Sequence, residues 1–486
     1  MAEFRGDCEV KQRLGLIEKQ LTPETFEFEK DGFGQLLSPG DYVEVLLREG
    51  GPSLAVIEDL RGNRAGYCYS CRFVAQVSPQ YLIDCVVQPA STSSLQGLFR
   101  PDGSASLLIG ELSALDEHVL VGLRTDKLYT HSCVFGASGF GKSTLLGLLV
   151  EEILLNISDV QIVIFDPHSD FRNFNEIKTP DVINESENRC ATIDPNVIHD
   201  LQQRLLSEAK ELISPPQLSL RRFDPPAFLD AVSRKHDPAA ELLLWLLWDA
   251  LEQPATPPTP AAMLDLVIKL AKDRTSRDVS GLDSRFQLPG KETDRALVRL
   301  QSLLRRTTGP VWAPSPKDSL DVLTASQVPR LVQFDLGALP FSDRALFAEC
   351  ALRLLWQRNS STLSPHTFVV IDEAHNLCPA RAEYTWQRNT LEWVNRFAGE
   401  GRKYRLHLIV VSQRPAKLHP STLDNCRNYV VLRLQNRDDI DRLSRSTVHV
   451  SPSLLSRVGV LAPHEALIFG EFSPPVIART GRRRMN

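Results

Sequence analysis

The sequence predicts an α/β protein: a mostly parallel sheet, a small β-barrel in front of it, and a helical subdomain inserted part-way. Three observations predict this. Short β-branched and aromatic segments separated by turn residues fill residues 1–95. From about Val119 strands alternate with helices, the texture of crossover connections. Residues 195–326 break that alternation with apolar positions at helical spacing.

The barrel is expected over 1–95, with strands at 42–47, 55–57 and 81–87 and turns at Ser38-Pro39-Gly40, Glu49-Gly50-Gly51-Pro52 and Arg61-Gly62-Asn63. Residues 90–104, rich in Ser, Gly and Pro, read as a connector. The first part of the core, 96–194, carries strands at 132–135 and 160–166 around an apolar helix at 143–155. The insertion, 195–326, offers helices at 201–212, 238–251, 261–274 and 291–306, divided by a proline-rich run at 254–260 that no helix interior tolerates. The second part of the core, 327–486, carries strands at 330–335, 368–372, 406–412 and 429–434 and a short basic tail.

Composition sets the bounds. The chain has 486 residues and a formal charge of -5, with 42% apolar and 24% charged residues. These are globular proportions and exclude a disordered, collagenous or disulfide-dense chain. Mild acidity argues against coating nucleic acid by bulk charge, but leaves room for a local basic channel. No run approaches the ~18–20 apolar residues of a membrane span. The greasiest stretch, 242–248, is bounded by Glu241 and Asp249. No signal peptide opens the sequence, so a cytoplasmic protein without a membrane partner is expected. The nine scattered cysteines fit reduced thiols. Cys68 and Cys71 have C-x-x-C spacing but lack a second pair, Cys85 and Cys8 being the nearest helpers, so zinc is disfavoured.

The strongest motif is Gly136-Ala137-Ser138-Gly139-Phe140-Gly141-Lys142-Ser143-Thr144. It matches the P-loop pattern between a strand and a helix, the context the motif requires. Its glycines let backbone N–H groups turn inward around phosphates, and the helix N-terminus adds partial positive charge. Lys142 is the candidate for the β- and γ-phosphates of ATP, and the Ser143 hydroxyl for Mg²⁺. Four apolar residues then lead into Asp372 and Glu373. Asp372 suits the Mg²⁺ shell, and Glu373 suits the base that orients water toward the γ-phosphate. A third apolar strand ends in Ser412-Gln413-Arg414-Pro415, where Gln413 is a candidate γ-phosphate sensor. Before it, Gly401-Arg402-Lys403-Tyr404-Arg405 packs three cations into a turn. Arg402 and Arg405 are both candidates for a finger that completes a neighbouring subunit's site.

Together these residues resemble the HerA family of DNA-translocating ATPases, within the HerA/FtsK class of P-loop motors. The resemblance also draws on Ile109-Gly110, His131, Asp166-Pro167-His168, the Asp372-Glu373-Ala374-His375 strand end, residues 432–439 and residues 465–470. It implies a RecA-like core, a HAS-type barrel, a homo-hexamer with ATP between subunits and duplex DNA in its pore, and Arg402 as the finger. It further implies a partner enzyme, either a NurA-like nuclease for DNA end processing or another effector of anti-phage defence such as a sirtuin-like NAD-consuming enzyme. In that second case the ring would be an assembly platform. Two departures stand out. Ser169-Asp170-Phe171 replaces Gly-Glu-Tyr, leaving an acid one methylene shorter, and His464-Glu465-Ala466 replaces Gly-Glu-Ala. Candidate pore cations are Arg172, Lys178 and those of the stretch from Arg381 to Arg396.

Overall fold

A computed structural model of the chain describes residues 13–171 and 210–481, apart from 31–35, 49–50, 63–66, 78–81, 100–105, 114–118, 224–225, 227, 230–237, 252–258, 274–289, 308, 313–317, 362–363 and 449. Arg172, Lys178, Cys8, the basic tail, most of the proline-rich run and most of the helix expected at 201–212 lie outside the described residues.

The barrel is six-stranded and closed: β1 (Gly15–Gln20), β2 (Thr25–Lys30), β3 (Tyr42–Leu46), β4 (Pro52–Gly62), β5 (Tyr67–Phe73) and β6 (Val86–Pro89), in the order β1-β2-β5-β4-β3-β6. Closure removes the open edges that a small antiparallel sheet would otherwise expose. Alternate residues point inward, so Ile17, Phe26, Phe28, Val43, Val45 and Tyr69 are fully buried. Cys68 and Cys71 are three apart on β5 and therefore face opposite sides of it; Cys71 is buried in the barrel core and Cys68 is half-buried. The strand expected at 81–87 begins only at Val86, because Asp84 is left-handed (φ 66°) and ends a turn there. The expected connector is in part a helix, α1 (Thr92–Phe99). Ser91 caps it, its hydroxyl accepting from the Ser94 N–H, and Leu95 and Phe99 are its buried face. The Phe99 ring meets Tyr42 edge-on at 5.4 Å, and the Tyr42 hydroxyl donates to the Pro475 carbonyl at 2.6 Å. Those contacts seat the barrel on the core.

The core is one eleven-stranded sheet. In chain order its strands are β7 (Ser106–Leu112), β8 (Leu120–Arg124), β9 (His131–Phe135), β10 (Val160–Asp166), β11 (Lys210–Ile213), β12 (Leu331–Asp335), β13 (His366–Ile371), β14 (Leu406–Ser412), β15 (Cys426–Val431), β16 (Glu465–Gly470) and β17 (Val476–Thr480). Across the sheet they run β11-β12-β10-β13-β14-β9-β15-β16-β17-β7-β8. The pairings from β11 to β15 are parallel, and those from β15 to β8 are antiparallel. The parallel strands are apolar runs because both faces are covered. Val163, Phe165, Leu408 and Val410 face one layer, and Ile162, Ile164, Ile409 and Val411 face the other. Helix α2 (Lys142–Asn156) fills the second layer; the helices Phe341–Ser361 and Thr385–Glu400 fill the first.

The insertion departs from its expected form in one respect. Its helices Pro238–Leu251, Pro260–Asp273 and Gly290–Thr307 are present. Lys210–Ile213 is however a strand, pairing in parallel with β12 at the edge of the main sheet. Leu244, Met263, Val267, Leu300 and Leu304 share one continuous core with β9, β10 and β12. The insertion is thus an outgrowth of one face of the sheet.

Candidate nucleotide site

The site forms where the parallel strands end, the edge at which open α/β sheets hold ligands. Strand β14 lies between β9, which feeds the P-loop, and β13, which ends in the acids. That order brings Gln413 alongside Glu373 and both toward the loop.

The loop from Gly136 to Gly141 turns sharply enough to need left-handed backbone at Gly139 (φ 82°) and Gly141 (φ 95°). A methyl group on Gly141 would meet the His464 ring nitrogen Nδ1 at 2.6 Å, so space as well as conformation demands glycine there. Lys142 opens α2 and reaches across to the acids. Its Nζ lies 2.7 Å from Glu373 Oε1 and 3.4 Å from Asp372 Oδ1, with all three residues buried. Glu373 is itself left-handed (φ 46°), an unusual conformation for a side chain of its size and of the kind that concentrates at functional sites. The Gln413 amide donates to Glu373 Oε1, and its oxygen accepts from the Ser138 hydroxyl at 2.7 Å. His375 Nδ1 lies 3.2 Å from Glu373 Oε2 and 3.1 Å from Ser412 Oγ. Asp439 holds the turn after Gln413, accepting from Arg414 Nε at 3.2 Å and the Ala416 N–H at 2.8 Å.

Asp170, one methylene shorter than the glutamate it replaces, reaches the site. Asp166 accepts the N–H groups of His168, Asp170 and Phe171 and the side-chain amide of Gln333. This shapes a turn through left-handed Ser169 (φ 63°), whose hydroxyl donates to Asp335 at 2.7 Å. The turn delivers Asp170 Oδ2 to 2.7 Å from Ser143 Oγ, so the shorter acid suffices. Both departures from the family pattern fall on left-handed backbone. Ser169 and His464 each stand, at φ 63°, where glycine is the residue without a steric cost.

Burial pushes Asp372 up to about 6, although Lys142 pulls it down. Burial acts on Glu373 in the same direction, but Lys142 and Gln413 outweigh it and leave Glu373 below the usual carboxylate range. Both are carboxylates at neutral pH, with Asp372 the first to take a proton on acidification. The hard oxygens of Ser143, Asp372 and Asp170 are a fitting donor set for Mg²⁺, and the loop's inward N–H groups with Lys142 fit a polyphosphate. Bound there, Mg²⁺ would neutralise charge on the phosphates. Glu373, anchored by Gln413 and Lys142, is placed to accept a proton from water. Because a metal ligand must be deprotonated, kcat/KM for Mg·ATP is expected to fall below pH about 6, by about tenfold per pH unit. A pH–rate profile checks this; a profile flat down to pH ~5 contradicts it.

Arg402 and Arg405 are far from this edge. They lie in and just after the turn Gly401–Tyr404, at the opposite end of β14, ~23 Å away along the strand. Arg405 is engaged within the chain, by Asp159 at 3.3 Å and the Ser364 carbonyl at 3.3 Å. Arg402 is exposed and has no ion pair among the described residues. Asp170, His375 and Asp439 were legible only as members of motif segments.

Residues 107–304 match the family model described as the central domain of helicase HerA. The chain is 24% identical over 420 residues to the DNA double-strand break repair helicase HerA of Pyrococcus furiosus, covering 79% of this chain and 70% of that one. It is 23% identical to the protein of the same name from Sulfurisphaera tokodaii, with the same coverage. In fold it is similar to VirB4 of Thermoanaerobacter pseudethanolicus, with a TM-score of 0.50, 15% identity, and 78% of this chain and 97% of that chain covered. Among the described residues no helix is long and apolar enough to cross a membrane. The chain is a P-loop ATPase with a RecA-like core, similar in sequence to the HerA helicases.

Proposed function

We propose that the chain is a ring-forming ATPase that moves duplex DNA, with Lys142, Asp372, Glu373 and Gln413 supplied by one subunit and Arg402 by the next. Asp372 and Ser143 would hold Mg²⁺, and residues Gly136 to Thr144 would cradle the phosphates of ATP. The observation that carries this reading is the separation of Arg402 from Gln413 at opposite ends of β14. An exposed arginine on the far edge cannot serve its own nucleotide, but a neighbour in a head-to-tail ring can use it. A six-membered ring follows the family resemblance, and DNA follows the names of the relatives.

No cluster of three or more metal-binding side chains occurs among the described residues. Following the family resemblance, any DNA cutting is assigned to a partner nuclease or other defence effector.

A surface for the DNA is offered where the exposed Arg381 and Arg388 flank the exposed Tyr384, whose ring stacks on the half-buried Trp386 at 5.4 Å. Exposed arginines suit the phosphate backbone of a duplex. Purified protein should hydrolyse ATP several-fold faster with duplex DNA at low salt. Arg381→Ala with Arg388→Ala should abolish the stimulation and leave the DNA-free rate intact. Hydrolysis indifferent to duplex DNA from ~50 to 200 mM salt would overturn the DNA reading.

A further inference from the structure

We propose that His464, together with Arg433 and Phe140, forms the subsite for the nucleoside end of the nucleotide. This deepens the nucleotide-site reading above and rests on it.

The acids and the sensor amide stand on β13 and β14, to one side of the P-loop strand β9. They mark the side on which the terminal phosphate is handled. Strands β15 and β16 lie on the other side of β9, so whatever extends from the loop away from the acids meets their ends. Arg433 follows β15, and His464 immediately precedes β16. β15 and β16 are antiparallel, so the end of one and the start of the other meet at the same edge of the sheet.

Both residues are docked on the P-loop itself. The Arg433 carbonyl accepts from the Ala137 N–H at 2.9 Å, and its guanidinium lies 5.1 Å from the centre of the Phe140 ring. The His464 N–H donates to the Phe140 carbonyl at 3.2 Å, and the His464 carbonyl accepts from the Thr480 N–H at 2.7 Å. Backbone bonds on both sides thus hold His464 in its left-handed conformation, with the ring against Gly141.

Two polar atoms in this cluster lack partners. His464 Nδ1 and Arg433 Nε are both buried and make no hydrogen bond among the described residues. Buried polar groups left without partners are costly, and a pair of them beside one loop points to a ligand that satisfies them. The available chemistry is one ring nitrogen, one guanidinium N–H and an aromatic face. That set suits a ribose hydroxyl and a planar base, while the loop's own N–H groups serve the phosphates.

The test compares ADP with inorganic tripolyphosphate by calorimetric titration, each with Mg²⁺. His464→Gly is the first variant; glycine adopts φ 63° freely, so the fold is retained. Arg433→Gln is the second. Each should weaken ADP by about 5- to 20-fold and leave tripolyphosphate within twofold of the parent protein. Equal losses for both ligands would mean that the residues only shape the loop, and would overturn the proposal. Unchanged ADP affinity in both variants would overturn it as well. Failure of the parent protein to bind either ligand would instead overturn the nucleotide-site reading beneath it.

Discussion

Glu373→Gln is expected to slow ATP hydrolysis by about 10²–10⁴-fold while nucleotide stays bound. The substitution keeps the shape of the side chain and its contact with Gln413, and removes the oxygen charge that can take a proton from water. It also removes the closer of the two carboxylates that hold Lys142, 2.7 Å away, leaving Asp372 at 3.4 Å. Lys142 is then freer to turn to phosphate, so affinity for ATP should hold or rise. Single-turnover hydrolysis and retention of labelled nucleotide on a desalting column check the two halves separately. A rate within tenfold of the parent protein would remove Glu373 from the base's role. Loss of binding would show that its charge mainly positions Lys142.

The second large effect concerns Arg402. Arg402→Ala should reduce hydrolysis by about 10³-fold or more, in line with the loss of a finger that stabilises transition-state charge, with little change in thermal stability. Arg405→Ala should do the reverse. Arg405 caps its turn in a left-handed conformation (φ 57°) and pairs with Asp159 and Ser364, so its removal should lower the melting temperature slightly and spare the rate. Most of that cost is small because the ion pair is half-exposed. Comparable rates in both variants would leave the turn without a catalytic arginine.

Much of this could be read in the chain because the physics involved is local. Apolar runs such as Val160–Asp166 and Leu406–Ser412 are buried on both faces, and such strands need little context to be recognised. The P-loop is equally plain, since its spacing is dictated by phosphate geometry. The features that escaped depend on distant partners. Lys210–Ile213 is a strand because β12 offers it an edge, not because its four residues demand one. Residues 92–99 are a helix because Ser91 caps them and because Phe99 finds Tyr42 in the barrel. Asp170 reaches Ser143 through a turn built by Asp166, Gln333 and Asp335, three side chains that no spacing rule connects. His464 had no physical rationale in sequence, and its left-handed backbone, which glycine would adopt at less cost, depends on bonds to Phe140 and Thr480 that no spacing rule connects. The engagement of Arg405 by Asp159 and Ser364 likewise joins residues far apart in the chain, which spacing does not reveal.

The central claim is that each catalytic site is assembled from two subunits, and subunit mixing tests it most directly. Lys142→Ala cannot use its own loop but carries an intact Arg402; Arg402→Ala has an intact loop but no finger. Each alone should be inactive. Mixed one to one and allowed to exchange, about a quarter of randomly formed interfaces pair an intact loop with an intact finger, so hydrolysis should return to roughly that fraction of the parent rate. Exchanged mixtures that stay as inactive as their parents would contradict the shared site.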